Sequence, residues 1–274
     1  QTENDAIAAL AQRADVQRAF EFIVSQDEQA IADLIELTEI PAPPFGEAAR
    51  AARFAEMLRA AGLADVSIDE VGNVIARRRG RGRGPTIALI AHIDTVFPIE
   101  TDLTVRIEGD TYRAPGIGDN TRGLVYLLLV ARAMAHANLQ TRGDVLFVGS
   151  VGEEGLGDLR GVKHLFRRGG PRIDAALVVD GGEPNRLVTA AVGSIRYRVH
   201  VRGPGGHSYG AFGLGNPHHA LGRIIARFDE AAAALTAGDG PRATYNVGRI
   251  GGGTSVNSNP TETWMEVNMR STDA

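Results

Sequence analysis

The sequence predicts an α/β layer fold followed by a smaller two-layer α+β domain, and three observations predict it. Apolar runs that read as strands (86–93, 145–151, 175–179) alternate with helical composition at 121–137 and 159–167, the order of a layered sheet. The first run is apolar almost throughout, as in a strand buried on both faces. After about Pro184 the texture changes to period two, with Ile195, Tyr197, Val199 and Val201 on one side of the segment 194–201, the spacing of a half-buried strand.

Taken in order, 5–24 and 27–40 have helical composition and spacing. Pro41-Ala42-Pro43-Pro44 stops the second helix, because proline neither donates to a helix nor lets the preceding residue stay helical. Segment 46–61 carries Ala52, Phe54, Met57 and Leu58 at helical spacing and closes at Gly62, a helix-stop residue. Short strands at 66–68 and 74–76 flank a Gly72-Asn73 turn, a strand–turn–strand signal. The arginine–glycine stretch 77–84 reads as a solvated loop; the competing reading, an RNA-binding tract, lacks interleaved aromatic residues for base stacking. The strand–helix alternation follows. The second domain reads as a strand at 194–201, a helix at 217–235 and strands at 243–250 and 263–269. The boundary falls near residue 187, giving domains 1–187 and 188–274.

The 274 residues hold 43% hydrophobic side chains, enough for a substantial core. A net charge of −4 gives no general case for nucleic acid or an anionic membrane, and no apolar run is long enough to span a bilayer. With no cysteine, a metal would have to be held by His, Asp and Glu, a donor set that suits zinc, manganese or cobalt. The first residue is Gln1, expected after removal of a leader or trimming of the chain, so cytoplasmic and exported locations both stay open.

One imidazole and several carboxylates sit at or just past the ends of the strand-like runs. His92 and Asp94 end the run 86–93 and, two apart, share a strand face; alone they also suit a satisfied histidine beside a surface aspartate. Asp119 follows Gly116 and Gly118 and precedes a helix, where it could cap the helix or bridge two cations. Glu153-Glu154 follows the run 145–151; one could ligate a cation while the other faces a bound water, or both could sit on a solvated turn. Asp180 ends the run 175–179. Ligands of open α/β sheets bind outside the carboxyl ends of strands, and this common placement favours a shared cation site.

These segments resemble the M20 metallopeptidases, the family that includes peptidase T, glutamate carboxypeptidase, aminoacylase and succinyl-diaminopimelate desuccinylase. The resemblance rests on Ala91-His92-Ile93-Asp94-Thr95-Val96, Gly118-Asp119-Asn120, Gly152-Glu153-Glu154-Gly155, Val179-Asp180-Gly181, Gly203-Pro204-Gly205-Gly206-His207-Ser208 and Gly251-Gly252-Gly253-Thr254-Ser255-Val256-Asn257. It implies a zinc-exopeptidase-like mixed sheet flanked by helices, with a smaller α+β lid (dimerisation) domain. It implies two divalent cations, zinc first with cobalt or manganese as alternatives. His92 and Asp180 would bind one, Glu154 the other, and Asp119 would bridge. Glu153 would be the general base and Asp94 would support His92. In the lid, His207 would stabilise the oxyanion, reaching the partner's site in a homodimer, and Asn257 and Arg270 would hold a substrate carboxylate or carbonyl. The activity would be zinc-dependent hydrolysis of a peptide or amide bond in a small peptide; the alternatives are deacylation of an N-acyl amino acid, or a non-catalytic homologue or binding module. Asp180, Ile40-Pro41-Ala42-Pro43 and Gly72-Asn73 look similar to peptidase T relatives.

One departure stands out. The family's last ligand is a histidine beyond the lid, and no histidine here matches it. His218-His219 begins a helix, and His136, His164 and His200 have no motif around them. The sequence stops at Ala274 inside the lid, so the expectation is a truncated chain that lacks one ligand and could be inactive by itself.

Overall fold

The computed structural model describes residues 3–181 and 185–273, and the chain divides into two units, Gln1–Pro184 and Asn185–Ala274. The first unit begins with helices α1 (Glu3–Ala11), α2 (Ala14–Val24), α3 (Asp27–Thr38) and α4 (Ala48–Ala60). The single helix expected over 5–24 is two, because Arg13 takes an extended conformation (φ −64°, ψ 138°) and its guanidinium pairs with Asp15. Strands β1 (Asp65–Ile68), β2 (Val74–Arg78) and β3 (Ile87–His92) follow, then a hairpin of β4 (Arg106–Glu108) and β5 (Thr111–Arg113). A π-type turn over Ile117–Thr121 leads into α5 (Arg122–His136), followed by β6 (Val145–Ser150), α6 (Arg160–Leu165) and β7 (Ala175–Val178).

The main sheet has the order β1-β2-β6-β3-β7. β3 runs parallel to β6 and β7, whereas β1 and β2 are antiparallel additions. Successive strand residues point to opposite faces, and β6 feeds two cores this way. Val145 and Phe147 join Phe54, Leu58, Leu124 and Leu128 under α4 and α5, while Leu146 and Val148 join Ala88, Ile90 and Leu165 beside α6. The sheet is therefore covered on both faces, which explains why β3 and β6 are continuous apolar runs. Among the described residues β7 pairs with β3 alone, and Leu177 and Val178 are exposed.

The second unit comprises β8 (Gly193–Arg202), β9 (Gly206–His207), α7 (Pro217–Thr236), β10 (Ala243–Gly252), β11 (Ser258–Asn259) and β12 (Glu262–Ser271). Its antiparallel sheet has the order β10-β12-β8, and β9 pairs with β11. Asn216 caps α7 by accepting the backbone N–H groups of His218 and His219, with Pro217 in the first turn. Leu221 of α7 packs on Met265 and Val267, with Val199 and Val201 alongside. Ile195 and Tyr197, expected on that same apolar side, are more than half exposed.

Candidate metal centre

β3 lies between its two parallel neighbours, so three carboxyl-terminal strand ends point the same way. Backbone bonds carry the alignment one residue past each strand: Ile93 N–H donates to Ser150 O at 2.7 Å and Val179 N–H to Ile90 O at 2.7 Å. His92-Ile93-Asp94, Glu153-Glu154 and Asp180 thus leave the sheet side by side. Asp119 arrives from the π-type turn, and its amide neighbour Asn120 fixes that turn by donating Nδ2–H to Val179 O at 2.7 Å. The Asp119–Asn120 peptide bond is cis.

His92 is 3% exposed. Its Nδ1 faces the backbone O of Asp94 at 2.9 Å. That atom can only accept, so Nδ1 carries the proton and Nε2 is left for a ligand. Nε2 lies 3.0 Å from Asp119 Oδ1 and 3.6 Å from Asp180 Oδ1. A neutral imidazole would aim its lone pair at two carboxylates, so the arrangement requires a proton or a metal cation there. With no metal, burial disfavours the imidazolium, but hydrogen bonding and Coulombic attraction from Asp180 and Asp94 outweigh it and raise His92 to about 11. Asp180 is held below the usual carboxylate range chiefly by its contact with His92. Burial pushes Glu153 and Glu154 up; His92 pulls Glu153 part of the way back, and Asp119 lifts Glu154 further.

Among the described residues, two sets of donor atoms lie close enough to hold an ion: His92 with Glu153 and Glu154, and His92 with Asp119 and Asp180. The donors are imidazole nitrogen and carboxylate oxygen, and a histidine whose second ring nitrogen donates to a carbonyl is the usual form of a metal-bound one. The residues therefore fit a divalent cation. The capping alternative for Asp119 is not realised: Thr121 occupies the cap of α5 without a side-chain bond, and Asp119 is extended (φ −131°, ψ 94°).

Asp94 lies beside His92, as expected of a residue that supports it, and makes a further contact. It meets His92 through its backbone, with its carboxylate 3.7 Å from Nδ1. The fully buried carboxylate also accepts the backbone N–H groups of Glu153 (3.0 Å) and Glu154 (2.8 Å). It is a crossbar from the end of β3 to the turn after β6.

Two further supports escaped sequence reading. Arg50, in the alanine-rich α4, is fully buried and donates to Thr38 O, Ile40 O and Ile93 O. It pins the proline-rich segment against the end of β3; burial, partly opposed by Asp94, lowers it to about 10. Arg160 Nη2 pairs with both oxygens of Glu47 at 2.8 Å, and its guanidinium lies over the Phe45 ring. The same guanidinium lies against Gly152, where φ is +65° and an added Cβ would meet Nη1 at 2.0 Å. No local pattern announces either arginine, because Arg50 bonds to backbone carbonyls and Arg160 to a glutamate far along the chain.

In the second unit, β9 and β11 bring His207 and Asn257 close together. His207 pairs with Ser258, its Nδ1 accepts the Tyr209 N–H at 3.3 Å, and Ser208 N–H donates to Asn257 O at 2.9 Å. Arg270 is not gathered with them. It pairs with Ser194 and Thr244 near the far end of β12 and lines a mainly apolar cleft of about 390 Å³ with Ile195 and Tyr245.

Residues 88–272 match the model of peptidase family M20/M25/M40. A Thermococcus kodakarensis protein named as a LysW-lysine/LysW-ornithine hydrolase is 32% identical over 166 residues, covering 61% of this chain and 42% of that protein. A Pyrococcus horikoshii protein of the same name is 32% identical over 204 residues, covering 74% and 55%. The chain thus spans about half the length of the curated relatives it matches. The crystal structure of a tripeptidase from Staphylococcus aureus is similar in fold, with a TM-score of 0.63, 21% identity and coverage of 89% of this chain and 66% of that one.

Proposed function

Because the chain belongs to peptidase family M20/M25/M40, we propose that its parent protein is a metal-dependent hydrolase that cleaves a peptide or amide bond in a small substrate. The observation that carries this reading is the convergence of His92, Glu153, Glu154 and Asp180 at the carboxyl ends of three parallel strands, with Asp119 brought in by the turn before α5. His92, Asp119, Glu154 and Asp180 would hold two divalent cations, zinc or alternatively cobalt or manganese. Bound there, such ions supply Lewis-acid activation of water and of the scissile carbonyl.

The chain's own groups do the rest. Glu153 takes a proton from the attacking water and returns it to the leaving amine, the work of a general base turned acid. Its half-buried carboxyl and its backbone, held by Asp94, suit it to that task. We assign His207 to the oxyanion, delivered from a partner protomer in a homodimer, and Asn257 to a substrate carboxylate or carbonyl. Arg270 belongs to the same assignment by resemblance alone, since within its unit it lies away from Asn257.

A second reading follows from the curated relatives: a substrate of the kind in their name, lysine or ornithine joined to LysW. An N-acyl amino acid is the corresponding small-molecule form. Profiling the complete protein on free-amine dipeptides and tripeptides against N-acyl amino acids separates the readings, and failure to cleave any of them defeats both. In the same assay Glu153→Gln should keep its metal and lose about 10²–10⁴-fold in turnover, the usual share of a general base. Wild-type rates in that variant would remove Glu153 from the mechanism.

A further inference from the structure

The turn Asp69-Glu70-Val71-Gly72-Asn73 holds a buried amide that the chemistry above leaves without a role. Asp69 Oδ1 accepts the backbone N–H groups of Val71, Gly72 and Asn73 at 2.9–3.1 Å, so the turn closes on its own carboxylate. Asn73 is 0% exposed. Its Oδ1 accepts the Val151 N–H at 3.1 Å, and its Nδ2 donates to Gly161 O at 3.0 Å and to Asp69 Oδ2 at 2.8 Å.

Val151 and Gly161 are the two necks of the loop that carries Glu153 and Glu154. They also bond each other, Gly161 N–H to Val151 O at 2.9 Å. A Cβ at Gly161 would stand 2.3 Å from Asn73 Oδ1, so the neck closes only around glycine. A carboxamide suits this place and a carboxylate does not, because it must accept on one side and donate on the other. An aspartate here would set a second anion against Asp69 and an acceptor against the Gly161 carbonyl.

We infer that Asn73 is a positioning residue: it clasps the loop 152–160 at its neck and so fixes the backbone from which Glu153 and Glu154 project. It touches neither substrate nor cation. The inference rests on the reading of Glu153 and Glu154 as site residues and adds the device that holds them.

The test is amide hydrogen exchange on metal-free protein, comparing wild type with Asn73→Ala, with the shape-preserving Asn73→Asp, and with Leu127→Ala, a core truncation in α5 that leaves the clasp's hydrogen bonds in place. Exchange reports local opening apart from global unfolding. The Glu153 and Glu154 amides should exchange at least about tenfold faster in both Asn73 variants while residues 87–92 keep their protection. Leu127→Ala should leave the ratio between the two segments unchanged. In the complete enzyme, Asn73→Asp should lower kcat by at least about tenfold with KM within about twofold, the pattern of a lost transition-state interaction. The inference is overturned if loop and strand accelerate together, if the loop amides do not respond, or if kcat holds while they open. Exchange needs no turnover, so an inactive wild type would strike the hydrolase reading and leave this result to be judged separately.

Discussion

Asp94→Ala removes the acceptor of two backbone N–H groups at once. Those groups, on Glu153 and Glu154, lie 3.0 and 2.8 Å from a carboxylate with no solvent exposure. A buried donor left unpaired costs about 1–3 kcal/mol, so two cost about 2–6 kcal/mol, a large share of the roughly 5–15 kcal/mol that holds a domain together. The buried Arg50 also loses its nearby anion. We expect a loss of about 3–5 kcal/mol for Asp94→Ala, the range for breaking one side of a buried charged contact. Asp94→Asn keeps one acceptor and presents an N–H₂ to the other N–H; it should lose about 1.5–3 kcal/mol, the worth of one hydrogen bond to a charged group. The assay is urea denaturation followed by circular dichroism on metal-free protein. Burial alone would raise Asp94, but its bonds from His92, Glu154 and Glu153 hold it below the usual range. Its contribution is therefore present above the ordinary carboxylate pKa and is lost as pH falls through the depressed folded value. The gap between wild type and Asp94→Ala should close in acid. A loss below about 1 kcal/mol at neutral pH, less than a single unpaired donor costs, would refute the crossbar.

Two other outcomes follow. Gly152→Ala combines a left-handed φ with a Cβ driven onto Arg160; strain of that kind costs about 1–3 kcal/mol, and an unshifted denaturation midpoint would show that the loop yields freely. Because His92 is raised to about 11 without metal, it is protonated at neutral pH, so binding an ion there must expel that proton. Zinc titration calorimetry in buffers of different ionisation enthalpy should report proton release that falls in His92→Ala; equal release in both would place the ion elsewhere.

The placement of the candidate site was legible because it follows from strand direction. β3 and β6 announce themselves by unbroken apolar runs, and their ends locate His92 and Glu153-Glu154 without knowledge of loops. What holds those groups was not legible. Asp94 reads as a partner of the histidine two residues before it, but nothing in residue identity shows that its carboxylate also accepts the backbone N–H groups of Glu153 and Glu154. Arg50, Arg160 and Asn73 bond mainly to backbone or to side chains far along the chain, and a backbone acceptor leaves no trace in residue identity. The β4–β5 hairpin was missed because its strands are three residues each and largely polar.

The account stands on cations at the mouth of the β3, β6 and β7 ends. Anomalous diffraction at the zinc edge, on crystals of the complete protein grown with zinc, tests this most directly. The predicted result is density within about 2.0–2.2 Å of His92 Nε2 and of carboxylate oxygens of Asp119, Asp180 and Glu154. A zinc-saturated protein whose anomalous peaks avoid all four side chains would contradict it.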